Sequence, residues 1–240
     1  MPRDTLTREQ IVRAAIELLD AEGLDGLNMR ALGKRLGSAA TAVYWHVGSK
    51  DNLISLAGDE LWHEIALPDP ATVGWRASAT SMATDLHAML NRHPWLVQSL
   101  GSFVMFGPGK ARYDDHHLGV YEAAGFTGAR ADQAAGAVFT FVLGSALGPA
   151  AEAALTRKLS REGGDAEERM RDGMAQAMEI AERFPRLRAR LGTTAATDYA
   201  AAPDNSFEFG LRAILDGMEA QLMAPHPPSG QNTGHPTPTP

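Results

Sequence analysis

Between Asn28 and Lys50 the chain reads NMRALGKRLGSAATAVYWHVGSK, with four cations (Arg30, Lys34, Arg35 and Lys50) and no Asp or Glu. The chain as a whole is acidic, with 29 acidic against 22 basic residues and a formal net charge of -7. A protein that simply coated nucleic acid would be basic; an uncharged-to-basic stretch in an acidic chain points instead to a small, positioned face for a polyanion. Ala40, Thr41 and Ala42 are small enough to let a backbone enter a groove closely, and Tyr44, His46 and Lys50 follow with groups that reach phosphates. Contacts to phosphate would fix register and contacts to base edges would read sequence. The same cations would also suit an ordinary solvated face.

Those residues need short helices to hold them. Thr7-Arg8-Glu9-Gln10 fits a capping box, and Ile11, Ala14, Ala15, Leu18 and Leu19 then recur at one helical face. Gly23 is placed to end that helix. Asn28 suits the N-cap of a second helix, with Leu32 and Leu36 facing inward, and Gly33 inside it implies close packing against a neighbour. Gly37 makes the turn and Ser38 is placed to cap a third helix of about 39–47. Val43, Val47 and Trp45 are its expected core residues, leaving Ala40, Thr41, Ala42, Tyr44 and His46 outside. Ser49 caps a fourth helix carrying Leu53, Ala57, Leu61 and Ile65, which ends before Pro68-Asp69-Pro70. That proline pair marks the expected domain boundary.

The remainder reads as helices over 75–93, 95–106, 111–124, about 127–159 (bent near Gly148-Pro149), 165–183 and from Asp204 or Asn205 to about 223. No segment alternates like a strand. The expected fold class is all-α: a three-helix helix-turn-helix head within residues 1–66, a helical bundle over 67–224, and a Pro-rich tail over 225–240 with nothing to bury. Cysteine is absent, which excludes disulfides and thiolate metal sites. No apolar run approaches the ~20 residues of a membrane span, and no apolar stretch follows the N-terminal charges as in a secretory leader. A cytoplasmic protein is expected.

No phosphate loop or nucleophile elbow is present, so catalysis has no support in the sequence. His116 and His117 are adjacent and project about 100° apart on a helix, which disfavours a shared metal; neither metal nor cofactor is expected.

The stretches LTREQIV, AEGLDGL, RALGKRLG and YWHVGSKDNL resemble the N-terminal domain of TetR-family transcriptional regulators over about residues 6–62. AAGFTGARADQA and FEFGLRAILDGMEA resemble the tetracycline-repressor type of C-terminal domain. The resemblance implies a homodimer whose ligand-binding body resets two DNA-binding heads. It implies that Ala40, Thr41 and Ala42 begin the recognition helix, that Tyr44, His46 and Lys50 contact phosphates or flanking bases, and that Arg30 reaches a base or phosphate. Ala40 and Ala42 replace longer or more rigid residues and offer apolar contact only, for example to a thymine methyl. The stretch between Phe103 and Gly109 is short and lacks the metal-binding histidine of the tetracycline repressor, which argues against a tetracycline–magnesium ligand.

An effector pocket is expected to be mostly apolar with few polar groups. The residues chosen for it are His87, Trp95, Phe103, Phe106, His116, His117, Phe139 and Met174. Met174 lies on a stripe with Met170 and Met178 that would serve a core equally well. The small-residue helix around 130–157 and the apolar stripe of 204–223 are expected to pair across a two-fold axis, since one short recognition helix reads too few bases alone. The resulting function is a dimeric, effector-released repressor of a palindromic operator. An activator of the same architecture, or a small-molecule-binding helical protein with a degenerate head, remain as alternatives.

Overall fold

The capping box predicted at Thr7 forms in full: the Thr7 hydroxyl accepts the Gln10 N–H at 3.2 Å, and the Gln10 side chain accepts the Thr7 N–H at 2.9 Å. It starts α1 (Arg8–Gly26), whose buried face is Ile11, Val12, Ala14, Ala15, Leu18 and Leu19. The structure is a computed structural model, and it describes residues 6–103, 105–161, 166–191 and 206–223. Gly23 does not end α1. It kinks it, at φ 70° and ψ -176°, and the helix resumes to Gly26.

The head continues with α2 (Met29–Arg35) and α3 (Ala40–Val47), and α4 (Lys50–Leu61) leads out of it. Asn28 caps α2 by accepting the Ala31 N–H at 2.7 Å, and Ser49 caps α4 by accepting the Asn52 N–H at 3.0 Å. Gly37 takes φ +61° in the turn between α2 and α3. Ser38 does not cap α3; its N–H closes the turn on the Gly33 carbonyl at 2.8 Å, and Ala39 stands at the N-cap without a side-chain bond. Gly33 is explained by this turn, because a Cβ there would lie 2.8 Å from the Ser38 carbonyl oxygen. The close packing is thus against the turn's own backbone.

α4 buries Leu53, Ile54, Ala57 and Leu61 and ends in a single 3-10 turn, Trp62–Glu64. Ile65 is buried as expected but lies outside the helix in extended backbone. The body comprises α5 (Pro70–Val73), α6 (Trp75–Arg92), α7 (Pro94–Leu100), α8 (Pro108–Ala124), α9 (Ala129–Arg161), α10 (Ala166–Ala181), α11 (Pro185–Arg188) and α12 (Ser206–Met223). Helix α7 is shorter than the 95–106 expected. It stops at Gly101, and Phe106 falls in the following loop.

α9 lies against α6, α7 and α8, and α12 lies across α9 and α6. Arg76 on α6 anchors α12 through Asp216 and, at 3.0 Å, Glu219. Pro149 sits inside α9 without dividing it. α9 is long and apolar enough to cross a membrane by length and composition, and only 28% of its most apolar 18-residue stretch is buried. Its neighbour α12 buries Phe207, Leu211, Leu215 and Met218 and leaves Phe209 77% exposed. Every described element is helical. The predicted tail over 225–240, the cap at 204–205 and the side chain of Met170 lie outside the described residues.

Candidate functional site

The face that Asn28–Lys50 presents is set by two valines. Val43 and Val47 are buried, one turn apart, and seat α3 on the head. At about 100° per residue, Thr41 and Trp45 lie two positions from Val43 and are turned outward. Arg30, Lys34, Arg35, Thr41 and Tyr44 are exposed, while Ala40, Ala42, His46 and Lys50 are half-buried. Trp45, expected in the core, is 82% exposed. An eight-residue helix can bury one stripe only, and the valines occupy it. The Trp45 ring meets the His46 ring edge-on, with centroids 4.8 Å apart. Trp45 therefore joins Tyr44 and His46 on the outer surface, a placement its hydrophobicity concealed.

Two of the cations are engaged within the head. Arg35 pairs with Glu17 at 2.5 Å, both half-exposed. The Lys50 ammonium donates to the Leu24 carbonyl at 3.1 Å, one of the carbonyls in the last turn of α1. The end of α3 is tied to α4 by Asn52, whose side-chain amide donates to the Val47 carbonyl at 2.8 Å. Gly48, at φ +73°, makes that corner.

Within the body the expected pocket residues divide. One cluster gathers Trp62, Tyr113, His117, Tyr121 and Phe139. Trp62 lies 4.9 Å from the Tyr113 ring and 6.4 Å from the Phe139 ring, and His117 lies 5.1 Å from both tyrosine rings. The Lys110 ammonium stands 4.9 Å above Trp62 and 5.0 Å from Phe139, and it pairs with Asp114. Burial lowers the His117 pKa to about 4, with Lys110 and His116 adding to the shift, so the ring is neutral. Burial likewise raises both tyrosines. Trp62 is fully buried and its indole N–H has no partner among the described residues, a costly state for a donor.

A second cluster stacks His87 on Phe207 at 4.0 Å, with Phe141 5.7 Å from Phe207. Burial lowers the His87 pKa against the opposing pull of Glu208. The other expected residues join neither cluster. His116 bonds the Pro68 carbonyl at 2.9 Å. Trp95 is fully buried between α7 and α1, where its N–H donates to Asp20 at 2.7 Å. Phe103 packs half-buried against the core, Phe106 is 77% exposed, and Met174 is half-buried on α10. Sequence reasoning passed over Trp62, Lys110, Tyr113 and Tyr121. The Tyr113, His117 and Tyr121 spacing of four residues on α8 was the available signal. No group of three or more metal-binding side chains occurs among the described residues.

Comparison with known proteins follows these two regions. Residues 11–57 match the family model for bacterial regulatory proteins of the tetR family, and residues 67–222 match the tetracyclin repressor-like C-terminal domain. An HTH-type transcriptional regulator of Saccharopolyspora erythraea is 36% identical over 140 residues, 58% of this chain and 59% of that protein. The HTH-type transcriptional repressor DrrR1 of Streptomyces coeruleorubidus is 31% identical over 220 residues, 91% of this chain and 79% of that protein. Among solved structures, the Streptomyces coelicolor TetR family protein ActR in complex with actinorhodin superposes with a TM-score of 0.69 at 27% identity, over 91% of this chain and 98% of that one. TetR-family regulators bind DNA operators and small-molecule ligands and form dimers. The chain belongs to the TetR family of ligand-responsive transcriptional regulators.

Proposed function

We propose that this chain is a homodimeric repressor that holds a palindromic operator in its effector-free form and releases it when a small apolar or aromatic molecule enters the body. The observation that carries the reading is α3. It turns Thr41, Tyr44 and Trp45 to solvent, away from Val43 and Val47, within a stretch free of acidic residues. Arg30, Ala40, Thr41, Ala42, Tyr44, His46 and Lys50 are its proposed DNA-contacting residues, and Trp45 joins them. Lys50 acts at short range, since its ammonium is already held by Leu24. Residues 1–66 form the DNA-binding unit with its connecting helix, and 67–224 the effector and dimerisation unit. The repressor acts in the cytoplasm.

The unpartnered indole N–H of Trp62 supports an effector with an acceptor oxygen. That oxygen would meet a donor at the exit of α4, so the ligand acts directly on the helix leading to the head. His117 and Phe139 flank that position; Trp95, Phe103, Phe106, His87, His116 and Met174 are the remaining candidates. The ligand shifts the two settings of α4 by its differential affinity for them.

The exposed apolar surface of α9 and α12, including Leu147 and Phe209, supports dimerisation through these two helices. Two heads about 34–36 Å apart would read successive major grooves. Selection of bound duplexes from a random library tests the reading: a palindrome is expected, lost on Arg30→Ala with Tyr44→Ala. Retention of DNA by the doubly substituted, folded protein would overturn it. Rising target transcripts on deletion of the gene identify a repressor, and falling ones an activator.

A further inference from the structure

We propose that His93 is a positioning residue that fastens the head to the body in a protonation-dependent way, its imidazolium joining Asp20 of α1 to Glu64 at the exit of α4. The inference stands on geometry at the corner between α6 and α7. The His93 backbone is fixed to both helices: its N–H donates to the Met89 carbonyl at 2.9 Å and its carbonyl accepts the Leu96 N–H at 2.8 Å. Its ring is buried, with Nδ1 2.7 Å from Asp20 Oδ1 and Nε2 3.2 Å from Glu64 Oε1. The same Asp20 oxygen accepts the Trp95 indole N–H at 2.7 Å. Three structural units meet on one ring: α1 of the head, the turn leaving α4, and the α6–α7 corner of the body.

Both ring nitrogens face carboxylate oxygens. A neutral imidazole carries one N–H, so one nitrogen would turn its lone pair on a carboxylate. The imidazolium donates to both and makes two charge-assisted bonds. The charged groups around it are Asp20 from α1, Glu64 from the turn, and Arg92 from α6, which pairs with the other Glu64 oxygen. Burial works against the cation, but the hydrogen bonds and charges of Asp20 and Glu64 outweigh it and hold the His93 pKa above its ordinary 6.5. The sign follows. The fastening is complete below 6.5 and is lost as pH rises through the raised value. A second tie, from Arg161 of α9 to the Glu22 carbonyl and, at 3.8 Å, to Asp25, does not depend on His93. Deprotonation therefore loosens the head without detaching it.

The consequence for regulation rests on the repressor reading. On that reading the setting fastened here is the one that holds the operator, and an effector that moves the head works against the His93 bonds. A chain without cysteine suits the test. Cysteines introduced at exposed Arg13 on α1 and Glu122 on α8 carry spin labels, and labelled protein is diluted into unlabelled so that distances within one chain are read. The expected result is one narrow distance near pH 6 that broadens or shifts near pH 8.5. It becomes pH-independent in His93→Gln, and its transition moves to lower pH in Asp20→Asn, which keeps the shape of the side chain. Identical distances at the two pH values in the unsubstituted protein, or a His93→Gln protein that responds like it, would overturn the proposal. Affinity for the library-selected operator is read in parallel and is expected to fall about threefold or more over that interval, with no such fall in His93→Gln. A pH-dependent distance in a protein that holds no DNA would leave the fastening standing and sink the repressor reading.

Discussion

The carboxylate of Asp59, on α4, accepts the backbone N–H groups of Gly109 and Lys110, at 3.1 and 2.9 Å, and so caps α8 from a different helix. The approach needs a bare backbone: a Cβ on Gly109 would lie 2.3 Å from the Asp59 carbonyl oxygen. The helix leaving the head is thus joined to the first turn of the helix that carries Tyr113 and His117. Asp59→Ala removes the cap, and chemical denaturation is expected to report a loss of about 1 kcal/mol. An unchanged midpoint would show that the first turn of α8 holds without it.

Gly33→Ala should destabilise the head even though alanine is the better helix former by roughly 1 kcal/mol. The added methyl meets the Ser38 carbonyl at 2.8 Å and the Ala40 nitrogen at 3.1 Å, both backbone atoms of the turn it must not open. A net loss of about 1–2 kcal/mol is expected from such overpacking. Thermal unfolding measures it, and a raised midpoint would contradict the tight turn.

Trp45→Ala separates a core role from a surface role. With the ring 82% exposed, stability should stay within about 0.5 kcal/mol of the parent. Operator affinity should fall about tenfold or more if the ring meets DNA, as proposed. Loss of fold with this single change would return Trp45 to the core.

Acid stability should carry the mark of His117. The unfolded ring takes a proton near its ordinary 6.5, and the buried ring not until about 4. Between those values the unfolded state binds more protons, so stability drops as pH falls. In His117→Gln the drop between about pH 6.5 and 5 should be shallower than in the parent, read by urea midpoints at each pH. Parallel curves would mean that His117 is protonated in the folded state.

What the sequence disclosed was local. Thr7, Asn28 and Ser49 act as caps because each bond spans three residues. The stripe of α1 is buried as its spacing implied, because a helical period is written in the chain itself, whereas the stripe of α12, expected at a two-fold axis, buries Phe207, Leu211, Leu215 and Met218 within the chain. Trp45 was misplaced because hydrophobicity gives an affinity for burial but no direction; the direction came from Val43 and Val47. The helix through Phe106 was overextended because an apolar run continues past Gly101 without a helix beneath it. Asp20 and His93 are 73 residues apart, and Asp59 and Gly109 are 50 apart. Nothing in the spacing of such residues tells that they meet. The four body histidines show the same limit: one stacks, one bonds a carbonyl, one is buried neutral and one bridges two carboxylates.

The small residues at the start of α3 have a consequence for how such a protein changes over generations. Thr41 is exposed and Ala40 and Ala42 only half-buried, while the seat of the helix is borne by Val43 and Val47. A new side chain at Thr41 alters what the helix meets without disturbing what holds it. On the proposed reading the address and the anchor are written in different residues, so in a duplicated copy an exchange at Thr41 would change the operator contact while Val43 and Val47 keep the helix seated.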